Sequence, residues 1–139
     1  MMTACVLLVM VATSCNKPSK LEGTKWEGDW VKVGEYYNSV KQKLDTVEIN
    51  VTLTISFSTK DAYASARVLT VDYSGKPATL FRSETAHDYT YEKGKVSLEI
   101  EWKDVLMKSL DDGKWTGTAE KKAMTLKNAS GRTVTFTKK

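Results

Sequence analysis

The side chains that most often carry enzyme chemistry are sparse in this chain. His87 is its one histidine, and Cys5 and Cys15 are its two cysteines. A nucleophilic relay needs a base beside an activated hydroxyl or thiol, and a zinc site needs several His or Cys ligands. The neighbours of His87 are Thr85, Ala86 and Asp88, which read as a turn between strands and make it a solvated loop residue. Asp111-Asp112-Gly113 brings two carboxylates together. A following glycine is turn chemistry, and the spaced oxygen ligands of a calcium loop are missing. The eight glycines occur singly and at turns, unlike a phosphate-cradling loop. The chain is therefore expected to be no enzyme, with no catalytic residue, no metal ligand and no cofactor.

What remains is a set of aromatic residues and one arginine within alternating runs. Phe57, Tyr89, Tyr91, Trp102 and Phe136 share parity with apolar neighbours, so they should point inward and are candidates to line a ligand cavity. Arg67 shares its register with Tyr63, Leu69, Val71 and Tyr73, and the opposite face is Ala62, Ala64, Ala66 and Val68. If the bulky face points inward, Arg67 joins the candidate lining as a buried cation that needs a ligand carboxylate or Glu84 as partner. If the small face points inward, Arg67 lies on the surface.

Charge excludes one partner class. The balance is 21 basic against 17 acidic residues, +4 in all, with Lys outnumbering the three arginines 67, 82 and 132. The charges are interspersed and no basic run exceeds two residues. Base readers lean on Arg, so nucleic acid is not an expected partner.

The elements that position these residues have a period of two. From Val47 to Ser58 every odd position is a large apolar residue and every even one is polar. Successive side chains of a strand point to opposite faces, so this is a half-buried strand. Val96 to Trp102, Met124 to Leu126 and Val134 to Phe136 repeat the pattern. Ser74-Gly75, Lys93-Gly94, Asp111-Asp112-Gly113 and Ser130-Gly131 supply the turns. The strands are expected near 24–33, 46–59, 62–73, 79–85, 88–92, 95–103, 114–120 and 123–128, with 132–138 a closing ninth or part of the last hairpin. Residues 34–45 are expected to form a long first loop, with Tyr36 and Tyr37 side by side as its contact residues. Val105 to Leu110 has room for one helical turn. The fold class is all-β, an antiparallel up-and-down barrel of about eight strands. Such an interior is just large enough to be filled by side chains or to hold one small ligand.

Residues 1–15 carry no Lys, Arg, Asp or Glu. The apolar run from Ala4 to Ala12 spans about 13–14 Å as a helix, too short for a bilayer of about 30 Å. It suits the core of a signal peptide. Ala12-Thr13-Ser14-Cys15 resembles the lipobox of bacterial lipoproteins. That resemblance implies cleavage after residue 14, lipidation of Cys15, and a partner membrane reached through its acyl chains. Cys5 would leave with the signal and Cys15 would carry lipid, leaving the mature domain without a thiol. The expected division is 1–14 signal peptide, 15–20 lipidated cysteine and tether, and 21–139 barrel. The expected location is export to the envelope, anchored at the outer membrane.

Leu21-Glu22-Gly23-Thr24-Lys25-Trp26 opens the domain. Together with Tyr89 to Val96, Trp115-Thr116-Gly117-Thr118 and Thr133 to Lys138, it resembles the small lipocalin-like lipoproteins of Gram-negative bacteria. The resemblance implies a barrel with Trp26 at its floor, and a small apolar or amphipathic ligand. The alternative is a barrel filled by its own side chains, acting through its outer face as an envelope accessory or inhibitor.

Overall fold

The computed structural model describes residues 17–110 and 113–139. The expected signal segment, Cys15 and the Asp111-Asp112 pair lie outside the described residues. Among the described residues, nine strands and one short helix follow in chain order. They are β1 (Lys25–Asn38), β2 (Lys43–Phe57), β3 (Ala62–Val71), β4 (Pro77–Ala86), β5 (Thr90–Glu92), β6 (Lys95–Ile100), α1 (Val105–Leu110), β7 (Gly113–Ala119), β8 (Ala123–Asn128) and β9 (Thr133–Lys138).

All pairings are antiparallel, and the sheet order is β4-β3-β2-β1-β9-β8-β7-β6-β5. It is an up-and-down meander whose first and last strands pair, Trp26 opposite Lys138 and Glu27 opposite Thr137. The sheet curls into a half-barrel with an unpaired seam between β4 and β5. The register gives the curl two ends. The base holds residues 17–24, the turns 58–61, 93–94 and 120–122, and Lys139. The mouth holds the turns 39–42, 72–76 and 129–132, together with α1.

Residues 34–45 are not a loop. They extend β1 to Asn38 and start β2 at Lys43, so the first hairpin is paired from Lys25↔Ser56 to Asn38↔Lys43. The reason is local. The buried Asn38 accepts the Val40 and Lys41 N–H groups at 3.0 Å each on its Oδ1, and Gln42 takes a left-handed φ of 54°. That closes a tight turn of four residues, and the strands run on to meet it.

The inner face is packed. Trp26, Trp115 and Phe136 are fully buried, with Trp115 5.7 Å from Trp30 and 5.9 Å from Phe136 between ring centroids. Two glycines let the strands coil this tightly. A Cβ on Gly28 would meet Val134 Cγ1 at 2.8 Å, and one on Gly117 would meet the Thr125 carbonyl oxygen at 1.9 Å.

An ion pair bridges the seam near the mouth. Asp104 caps α1, accepting the Met107 N–H at 3.0 Å on Oδ2, while its Oδ1 accepts the Arg82 Nε–H of β4 at 2.7 Å. The helix buries Met107 and Leu110 over the mouth, and Lys32 Nζ donates to the Ser109 carbonyl at 2.8 Å.

Candidate functional site

Three regions hold the residues singled out by sequence. The interior is the first. Phe57, Trp102 and Phe136 lie in the contiguous core at 3%, 2% and 0% exposure, so they fill the curl. Trp26 is buried near the base, its Nε1–H donating to Thr24 Oγ1 at 2.8 Å. Tyr89 and Tyr91 are half-buried, and their hydroxyls are already engaged. Tyr89 donates to the Ser58 carbonyl at 2.6 Å with its ring edge-on to Phe57, and Tyr91 donates to the Pro18 carbonyl. Burial raises both phenols above their ordinary pKa, helped at Tyr89 by the Glu22 charge. They latch β5 to the turn 58–61 and to the N-terminal segment.

Arg67 is not part of the interior. It lies exposed on the outer face, opposite Thr52 and Phe81, while Ala62, Ala64, Ala66 and Val68 turn inward at 0–1% exposure. The reason is packing across the pair. Phe57, Ile55, Leu53 and Val51 of β2 face these positions directly, and a tight curl leaves room there for small side chains only. On β4 the inward parity holds Arg82, paired with Asp104, and Glu84, whose Oε1 accepts the Thr85 N–H at 3.2 Å. Among the described residues, the buried donors Trp30 Nε1 and Arg132 Nε near the mouth have no hydrogen-bond partner. The Arg132 guanidinium stands over the Trp30 ring at 5.9 Å, and its Nη1 donates to the Val31 carbonyl at 3.3 Å.

The outer face is the second region, and its two halves differ. Over β6 to β9 the outward residues are polar, among them Lys95, Glu99, Thr116, Thr118, Thr125 and Thr135. Over β1 to β4 the outward residues include Val31, Val33, Leu69 and Phe81, which are 49%, 66%, 42% and 69% exposed. Asn50 stands between Val31 and Leu69, and Phe81 lies diagonal to Leu69, so the four form an oblique strip. Tyr37 and Leu44 pair at its distal end, both exposed. Tyr36 is on the other face, where its hydroxyl accepts from Asn38 Nδ2 at 3.1 Å. Sequence reasoning missed this strip. Its signal was apolar residues on both parities within a few positions, as in Trp30-Val31-Lys32-Val33.

The base is the third region. Leu21 is buried at 1% exposure, and the Gly23 N–H donates to the Phe57 carbonyl at 2.8 Å, so the segment after Lys17 is folded onto the sheet. His87 is exposed, with Nδ1 3.1 Å from Asp61 Oδ1. Among the described residues no three His, Cys, Asp or Glu side chains converge as metal ligands do. Compared with known proteins, the chain matches no family model, no curated protein and no solved structure.

Proposed function

We propose that the protein is a lipid-anchored envelope module that binds a protein partner through its outer face. The observation that carries this reading is the exposed apolar strip Val31, Val33, Leu69 and Phe81, set on a sheet whose other half is outwardly polar. A group of large apolar side chains exposed on one half of a sheet points to an interaction site, and Phe is favoured in such sites. The side chains proposed as a ligand lining support the same reading, because Phe57, Trp102 and Phe136 are packed against one another's neighbours in the core. The anchor rests on the Ala12-Thr13-Ser14-Cys15 pattern.

The test is a photo-crosslinking residue placed in living cells at Phe81, at Val33 and, as reference, at Thr135 on the polar half. An adduct of one defined partner from Phe81 and Val33, absent from Thr135 and lost on Leu69→Ser, is the expected result. Equal labelling at all three positions would reject the strip. Palmitate labelling of the chain and of Cys15→Ser tests the anchor separately, with the label expected on the first alone.

A further inference from the structure

Positive charge is concentrated at the base. Lys17, Lys20, Lys121, Lys122, Lys138 and Lys139 line one open groove, contributed by the N-terminal segment, the β7–β8 turn and the end of β9. All six are exposed. Glu22 is the acidic side chain lining the same groove, and its Oε1 accepts the Thr59 hydroxyl at 2.9 Å. Among the described residues only Lys139 of the six forms an ion pair, with Glu27 Oε1 at 3.6 Å. Sequence distance hides this cluster. Lys17 and Lys139 lie at opposite ends of the described chain and meet because β1 pairs with β9.

The first described residues, Lys17 to Lys20, lie in the same groove. The Tyr91 hydroxyl bonds the Pro18 carbonyl, and Lys17 lies so close to Gly94 that a Cβ there would come 2.6 Å from Lys17 Cδ. Cys15 is two residues earlier, a contour of about 7 Å at most. A group carried on Cys15 would be tethered to Lys17 by that contour.

We infer that this groove is a headgroup-facing surface that takes the phosphates of anionic phospholipids, so that the domain stands base-down on a bilayer. The mouth then points away from the membrane, and the apolar strip runs up the outer wall from Phe81, level with Asp29, to Val33. The orientation in cells rests on the acylated Cys15 of the proposed function; the groove's attraction for anionic headgroups does not.

The test uses the chain from residue 15 carrying Cys15→Ser, which contains every described residue and no lipid. It is sedimented with vesicles of phosphatidylcholine alone and with vesicles also containing phosphatidylglycerol. Binding to the mixed vesicles only is expected, with loss at 1 M salt, where the screening length falls to about 3 Å. A lysine near an anionic surface contributes about fivefold in affinity. Lys121→Gln, Lys122→Gln, Lys138→Gln and Lys139→Gln together should weaken binding by about a hundredfold or more. Lys43→Gln, Lys76→Gln, Lys108→Gln and Lys127→Gln, with the same change in net charge, should leave binding within a few-fold. Equal loss in the two variants, or no binding by the parent chain, overturns the inference. Displacement by inorganic phosphate at matched ionic strength would also overturn it, as a site for the free anion; no displacement supports it. If binding follows this pattern while palmitate labelling fails, the anchor falls and the groove stands.

Discussion

At the scale of single residues, two side chains test how the curl is held. Gly117 has no room for a methyl group, because the contact it would make is with a backbone oxygen that cannot turn away. Gly117→Ala should cost about 3 kcal/mol or more, read from urea unfolding. Unchanged stability would show that the β7–β8 pair is looser than described. Asp104 has a different signature. The Met107 N–H and then the Arg82 guanidinium hold its carboxyl below the ordinary carboxylate range. A depressed pKa adds stability above the unfolded value and loses it as pH falls through the folded one. Stability should therefore decline below about pH 4, and Asp104→Asn should flatten part of that decline while still capping α1. An identical acid slope in the variant would remove Asp104 from the seam. Arg67 and Arg82 also mark the limit of reading from sequence. Parity groups the residues of β3 into two faces, but both are apolar enough to be buried, and only the paired β2 residues decide which one is.

At the scale of elements, the first hairpin shows what alternation does and does not reveal. The run from Val47 to Phe57 is strand as the pattern requires, and β2 begins earlier, at Lys43. The stretch 34–45 lacks a clear period because this part of the hairpin is largely solvent-exposed on both faces, so no core imposes one. What keeps it a strand is the Asn38 turn, a hydrogen-bonding device without apolar periodicity. Asn38→Ala should thus cost about 1–3 kcal/mol through the two unpaired N–H groups and the lost buried amide. Tyr37→Ser with Leu44→Ser, which removes an exposed cross-strand pair, should cost less than about 1 kcal/mol. Thermal melts of the two variants, ranked in the opposite order, would contradict the hairpin as described. The short helix was legible only as one turn at Val105 to Leu110, since its role in covering the mouth depends on Arg82, far away in sequence.

At the scale of the whole molecule, the strands and their order were largely legible, because each needs only its own alternation and a turn. The seam, the lysine groove and the apolar strip were not, because each joins residues from distant strands. A filled curl leaves the outer surface, and not the interior, for the contacts proposed above. All four tryptophans, Trp26, Trp30, Trp102 and Trp115, are buried in the inner core and report on it directly. Trp115→Ala should cost about 3–5 kcal/mol and open a cavity. That variant supplies a positive control for a titration of the parent chain with a small apolar probe, followed by tryptophan emission. No saturable change is expected in the parent chain, and a saturable change is expected in Trp115→Ala. A saturable quench or shift in the parent chain would contradict a filled curl and return the interior to the role of a ligand site.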